Sequence, residues 1–413
     1  MPVILFLFIF SVNLEASPLA NRFQMLTTES MPKDVWTYGV NISSSLGVQN
    51  SSYNSNGQRV SNQDYFSRSL DFENLLQDTN NDLDRELARA AFDVYGKELD
   101  ESAGVVINNV DVRSSAQTFL LGRGLSDSAD LFVIVPVVTI NTQFSSRFEK
   151  SESLNNLITT LKAEGQNLRA AEIEKKTQNA LYEKLRENGY NTDYPEEITT
   201  LANIYVNYRY QALKQERLKL LTDSYLIIPA GESFEEDDFL DLRINEEQYS
   251  FKQGLGVSYS FVPDRFEGLV GTYYHKRFHF NKRRRVPNSD VDPISDDSEN
   301  LTIKYGDSYG LSSQLNFKSG DTTFYIGSSL EFRDKDEYDG DKFAAERYDF
   351  MGEDTNQRLH TNYIGASFNT IRKFLKNEFL IPLDFNLQYG VTQSGVNSFY
   401  NEQLALNIIG FYK

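Results

Sequence analysis

The chain has 413 residues, a formal net charge of −18, 13% aromatic residues and no cysteine. Its acidity argues against a nucleic-acid-binding surface, which would be basic. The lack of cysteine excludes disulfides, thiolate-bound zinc and cysteine nucleophiles, and suits passage through an oxidising compartment. Length alone leaves open one large domain or two ordinary ones, and 24 Tyr and 29 Phe against one Trp fit the aromatic girdles of a membrane barrel.

Residues 3–12 are the one long apolar run, too short for a spanning helix and followed by Ala16, Ser17 and Ala20. This is the pattern of a signal peptide over residues 1–20, although no Lys or Arg precedes the run; a buried N-terminal strand is the alternative. No other window could cross a bilayer as a helix, so a membrane location requires a closed barrel, because lipid offers no partner to an open sheet edge.

The first strand alternates Trp36, Tyr38, Val40, Ile42, Leu46 and Val48 with Thr37, Asn41, Ser43 and Gly47. Residues 49–109 form a polar loop insertion, with Leu83, Leu87, Ala91 and Val94 at helical spacing. Strands at 110–120 and 131–144 follow, joined by the tight connection 124–128. A second insertion, 145–197, carries Leu154, Leu157, Ile158 and Leu161 at helical spacing. In 199–228, Ile204, Val206, Tyr208 and Tyr210, then Leu218, Leu220, Leu226 and Ile228, alternate with polar residues. β-branched and aromatic residues at period two favour a hairpin over a helix. Further strands fall at 251–261, 268–280, 301–317, 324–332, 359–371, 379–391 and 404–412. The run 379–391 is the most regular: Phe379, Ile381, Leu383, Phe385, Leu387, Tyr389 and Val391 alternate with Asp384, Asn386, Gln388 and Gly390. Its length meets the roughly 9–11 residues of a tilted membrane strand.

The expectation is an all-β fold: a transmembrane antiparallel up-and-down β-barrel of about twelve strands, or ten if 199–221 is helical. Residues 21–413 then form a single barrel domain with helical insertions in its outer loops. Short and long connections alternate along the chain, as short periplasmic turns and long outer loops do. A secreted soluble β-protein is the competing fold. Pro136, Pro229 and Pro382 lie inside the expected strands and would mark bulges or rims.

Three stretches resemble a Gram-negative outer-membrane barrel family labelled as a meta-pathway phenol-degradation or transport family. They are residues 31–39 (MPKDVWTYG), residues 122–127 (GRGLSD) with Val135-Pro136, and residues 228–231 (IPAG) before Asp237-Asp238. The aromatic chain end at 410–413 resembles the C-terminal signal of outer-membrane proteins, with Lys413 after the aromatics. The resemblance implies a pore or uptake protein for small solutes, hydrophobic or aromatic ones included. The insertion at 145–197 departs from that pattern.

On this alternation the lumen-lining candidates are Arg113, Arg209, Lys219, Asp223, Arg277, Lys304, Glu331 and Asp384. Charges there would set ion preference, or pair and close the lumen. Lys282, Arg283, Arg284 and Arg285 at an outer strand end are candidates for binding lipopolysaccharide phosphates, with a solvated loop as the alternative. The acidic stretch 232–241 lacks ordered cation-ligand spacing and reads as a solvated loop. His275 and His279, four apart on one strand, lie about 13 Å from each other and cannot share a metal. No protease, lipase, phosphate-loop or dinucleotide motif occurs. The function expected is an outer-membrane solute channel with a helical cap or plug, exported through the periplasm, touching membrane lipid and lipopolysaccharide and needing no cofactor. A closed-lumen surface adhesin is the alternative, and a barrel enzyme using His275, His279 or His360 is a third.

Overall fold

Twelve antiparallel strands close into a barrel in a computed structural model of the chain, which describes residues 30–72, 96, 98, 100–171, 173–174, 185–192, 197–231, 237, 247–288 and 294–412. The strands are β1 (Trp36–Ser45), β2 (Ser102–Ser126), β3 (Ala129–Lys150), β4 (Ile204–Lys214), β5 (Leu218–Ile228), β6 (Ser250–Val262), β7 (Phe266–Arg277), β8 (Ser308–Ser319), β9 (Thr322–Arg333), β10 (Gln357–Asn369), β11 (Leu383–Val396) and β12 (Glu402–Tyr412). Each pairs with its neighbour in sequence, and the ladder from Trp36↔Tyr412 to Ser45↔Gln403 joins β1 to β12. Residues 1–20 and most of 80–99 lie outside the described residues.

The rows follow the expected alternation. On β11, Leu387 points outward at 50% exposure while Asn386 between its neighbours is 1% exposed. The hairpin over 199–228 is formed as β4 and β5, which settles the strand count at twelve. The strand expected at 379–391 instead runs Leu383–Val396. Pro382 has no N–H to give a ladder, and Phe379, Leu380 and Ile381 lie exposed in the preceding turn. Pro229 directly follows β5. Pro136 stays inside β3, and the facing chain breaks there: Glu197–Leu201 pairs with Val137–Asn141, β4 with Ala129–Ile134, and Ala202 N–H donates to the Pro136 carbonyl (3.0 Å) between them. Each proline thus sits where a ladder ends or is interrupted.

β2 and β3 outrun the others and project from the long-loop rim, so residues 102–109 and 145–150, expected in loops, are strand. The helix α1 (Glu152–Ala163), N-capped by Ser151, buries Leu154, Leu157, Ile158 and Leu161 against Phe72, Ala103 and Phe148 of this projection. Its apolar face is therefore committed to the hairpin and not offered to the lumen.

Inside the barrel, glycines stand directly across from aromatic residues: Gly122 from Phe132, Gly310 from Tyr273, Gly327 from Tyr363 and Gly365 from Tyr325. In each case an added Cβ would come within 2.3 Å of the facing ring. The ring lies flat over the glycine, so large inward side chains hug the wall rather than crossing the lumen. Gly327→Ala should therefore cost about 1–3 kcal/mol by overpacking, read as an earlier loss of the heat-modifiable form in a urea titration in lipid vesicles. Gly47→Ala, with no atom within 4 Å, should leave that midpoint unchanged.

Candidate functional site

The barrel interior is the candidate site. Twelve strands about 4.8 Å apart, tilted by about 40°, enclose a backbone circle about 24 Å wide, which inward side chains narrow by several ångströms from each side.

Two kinds of wall face each other across it. From β7 round to β1 the wall is built of amides and phenols. Asn41 donates to Asn407, Asn407 to Asn386 (3.4 Å), and Tyr325 Oη to Asn386 (2.9 Å) and Gln388 (3.3 Å). Tyr325 meets Tyr363 edge-on, Tyr363 Oη donates to Gln314 (3.2 Å), and Gln314 donates through Asn316 towards Glu267, which Lys318 pairs at 3.0 Å. Among the described residues, four buried atoms of the belt make no hydrogen bond: Asn41 Oδ1, Asn386 Nδ2, Gln388 Nε2 and Gln403 Nε2. Buried polar atoms are costly unless something hydrogen-bonds to them.

From β3 to β6 the wall carries charge. Arg209 Nε lies 3.1 Å from Asp223 Oδ1, both nearly buried. Lys252 Nζ sits 3.7 Å above the Tyr273 ring centroid. Leu120, Phe132, Ile134, Tyr205, Tyr225 and Ile227 form an inward apolar cluster that runs from the base of β3 to the long-loop ends of β4 and β5, and Met31 packs against it.

Two of the quoted sequence stretches meet at this base. Met31 N–H donates to the fully buried Asp130 carboxylate (2.9 Å), Lys33 N–H to Asp127 (3.3 Å), and Arg123 pairs with Asp34 (2.8 Å). Gly124 lets the chain pass, since a Cβ there would lie 2.1 Å from the Pro32 carbonyl oxygen. No side-chain pattern pointed to Asp130 as the anchor of this joint; only the tertiary contact does.

Of the candidate lumen residues, Arg209, Lys219, Asp223, Arg277, Glu331 and Asp384 stand on inward rows. Asp223 and Arg209 adjoin. Asp384 accepts from Asn369 (2.9 Å) near the short-turn rim, while Arg277, 1% exposed, donates to Ser308 Oγ and the Gly306 carbonyl at the opposite rim. The other two are corrected. Arg113 is on the outward row of β2, exposed, because Val110, Val112 and Ala116 beside it face an apolar interior against β3. Lys304 ends the strand Ser298–Lys304, which belongs to a separate rim sheet with Phe280–Arg285 and Glu337–Asp339, and it pairs there with Glu337 (3.4 Å).

The lipid-phosphate candidates are also corrected, since they serve that same sheet. Lys282 and Arg284 converge on Glu247, Arg283 donates to Ser298 Oγ (2.7 Å), and Arg285 binds Asp237, the Asn188 and Gly189 carbonyls and the Tyr190 ring face. The acidic stretch is thus partly the counter-charge of the basic run; Glu232, Glu235, Glu236, Asp238 and Asp241 lie outside the described residues. The sheet packs Val286, Leu301, Ile303 and Tyr305 against Tyr348 of α2 (Ala345–Gly352). Burial pushes the Glu299 carboxyl up, but Tyr348 Oη and the N–H groups of Asp341 and Lys342 outweigh it and hold the carboxyl below its usual range.

Among the histidines, His275 Nε2 shares a hydrogen bond with the fully buried Ser250 hydroxyl (2.8 Å), and His360 Nε2 with Ser328 (2.8 Å). Ser250 is closed off from any substrate. Ser328 lies in mid-strand, where the N–H groups around it are committed to ladders and form no oxyanion hole.

No family model and no curated protein matches the sequence. Among solved structures, an outer membrane channel from Pseudomonas putida F1 is similar at 11% identity, over 94% of this chain and 98% of that one, with a TM-score of 0.52. A FadL homologue of Pseudomonas aeruginosa (9% identity, 92% and 90% covered, TM-score 0.31) and the Pseudomonas putida toluene transporter TodX (8%, 93% and 91%, TM-score 0.32) are more distant, too much so to bear on function. The fold is that of an outer-membrane β-barrel.

Two outcomes follow for the site. Arg209→Met alone leaves Asp223 buried without its partner and should destabilise the barrel by about 3–5 kcal/mol. The double variant Arg209→Met/Asp223→Leu should recover most of that loss in the same urea titration. In the rim sheet, the lowered Glu299 carboxyl contributes stability above its unfolded value, and this is lost as pH falls through its folded value. Limited proteolysis of the rim loops should therefore begin on acidification, and at a higher pH in Tyr348→Phe, which removes one lowering donor.

Proposed function

We propose that the protein is a channel for small solutes in a Gram-negative outer membrane, reached by export through the periplasm, with membrane lipid and lipopolysaccharide around it. The observation that carries this reading is an inner wall of amides, phenols and an ion pair inside a closed barrel whose outer rows are apolar. The Arg209–Asp223 pair and Lys252 face the amide wall from the other side and impose a transverse field across the lumen. Short turns lie on one rim and the rim sheet and projecting hairpin on the other, an asymmetry that supports a periplasmic side for the first and an outer side for the second.

A second reading, small aromatic solutes, rests on the apolar cluster of Phe132, Tyr205 and Tyr225 and on the family resemblance. In both readings residues 30–34 narrow the short-turn end beside the β2–β3 turn. Lys252 and Glu331, on inward rows, would bias the ions admitted.

Reconstituted protein should give small, discrete conductance steps in planar bilayers. Tyr273→Ala, which removes a ring from the lumen wall, should raise the step size, and Lys252→Ala should shift the reversal potential towards cations. A persistently silent bilayer from folded, heat-modifiable protein would refute the channel reading.

A further inference from the structure

One connection on the short-turn rim is built differently from its neighbours. Residues 127–128, 215–217, 263–265 and 320–321 join their strands with two or three residues each, whereas 370–382 takes thirteen to join β10 to β11. This longer turn is fastened at both ends. Thr370, fully buried, donates through Oγ1 to the Ile381 carbonyl (2.9 Å) and accepts from the Leu383 N–H (2.7 Å). Between these ends the short helix α3 (Ile371–Leu375) is followed by Asn377 at φ 59°, a left-handed position that Asn tolerates. The Glu378 N–H then returns to the Lys373 carbonyl (2.8 Å).

The turn leans to the lipid side of the wall. Lys373 Nζ lies 5.0 Å from the ring centroid of Phe368, which shares the outward row of β10 with the exposed Ile364. Its level is that of the aromatic residues at the base of the barrel. Leu383 pairs with Gly410, and the Phe411 N–H donates to the Pro382 carbonyl (3.1 Å), so Ile381 stands level with Tyr412, itself paired with Trp36. Outward rings at a barrel end mark the bilayer boundary.

Two kinds of side chain stand together there. Phe374, Phe379 and Ile381 are exposed, and Leu380 is 93% exposed. Contiguous exposed apolar residues of this kind mark a contact surface. Arg372 and Lys376 are also exposed and form no ion pair among the described residues, while Lys373 reaches Asp321 at 3.7 Å. In a chain of net charge −18, Glu378 is the one carboxylate between Thr370 and Pro382. Apolar tips beside cations, at the boundary and on the lipid side, match an anionic headgroup layer. A soluble periplasmic protein would account for the exposed apolar residues but not for the outward lean.

We propose that residues 371–381 are a binding site for anionic phospholipid at the short-turn rim. Arg372, Lys373 and Lys376 take headgroup phosphates by charge-assisted hydrogen bonds, while Phe379, Leu380 and Ile381 enter the acyl boundary. The inference rests on the outer-membrane reading above, which makes this lipid that of the periplasmic leaflet.

The absence of native cysteine lets one label report on the turn. Leu380→Cys carrying bimane would be folded, at low protein content, into vesicles of phosphatidylethanolamine and phosphatidylglycerol with iodide on both sides. The label should be shielded from iodide. Brominated phosphatidylglycerol should quench it several-fold more than brominated phosphatidylethanolamine at equal mole fraction. Adding Arg372→Gln, Lys373→Gln and Lys376→Gln should bring the two lipids to parity. The proposal is overturned if the two lipids quench alike before the cations are removed, or if the preference survives their removal. Iodide access, in vesicles where lipid is the sole occupant within reach, would also overturn it and point to a protein partner. Bimane at Leu387→Cys, on the outward row of β11, separates the failures. A label shielded there but open in Leu380→Cys would sink the lipid site and leave the barrel in its membrane, whereas labels open at both would sink the membrane reading as well.

Discussion

Everything in this molecule depends on closing the backbone hydrogen-bond ladder. Within hydrocarbon no water compensates an unpaired N–H or carbonyl, so a sheet there has to pair its first strand with its last. The β1–β12 ladder from Trp36↔Tyr412 to Ser45↔Gln403 does this. Closure then sorts the side chains, because a strand's alternate residues have only two places to go, lipid or interior. Prolines are confined to where the ladder ends or is interrupted, at Pro382, Pro229 and Pro136.

The interior has the opposite difficulty. A twelve-stranded barrel is wider than its side chains can fill from one wall, yet it must not leave buried polar groups idle. Two devices divide the task. Aromatic rings lie over facing glycines, as Tyr363 over Gly327, which keeps bulk at the wall. Asn, Gln and Tyr chains then bridge neighbouring strands along the wall and pair most of its polar atoms with one another. On the charged side, Arg209 and Asp223 offset each other's desolvation. The outer rim uses ion pairs differently: Lys282, Arg284 and Arg285 are drawn to Glu247 and Asp237 and tie loops distant in sequence to one small sheet.

Much of this was legible in the residues. The alternation at 36–48, 199–228 and 379–391, the last from Leu383 on, marks strands because period two is a local property that survives in any context where one face is wet and the other dry. The same logic misplaced Arg113. Val110, Val112 and Leu120 looked like a lipid row, but β2 and β3 carry an apolar interior, so the apolar row turned inward and Arg113 outward. Lys304 failed for another reason: the odd-numbered run from Leu301 to Phe317 reads as one strand, whereas the chain leaves the rim sheet and enters the barrel at residues 305–307, where Gly306 passes so close to Asp334 that a Cβ would lie 1.9 Å from its carbonyl oxygen. Parity carries no information about such a change of sheet.

The sequence by itself therefore determined the class of fold: period-two strands of membrane length, joined alternately by short and long connections, with no helix able to span a bilayer in their place. Only the tertiary structure decided which partner each polar residue has. Met31 meeting Asp130, Asn41 meeting Asn407 and Arg285 meeting Asp237 are contacts across 99, 366 and 48 residues of chain. Alternation states which face a side chain takes, but not how far the neighbouring strand is staggered against it, and that stagger selects the residue it touches.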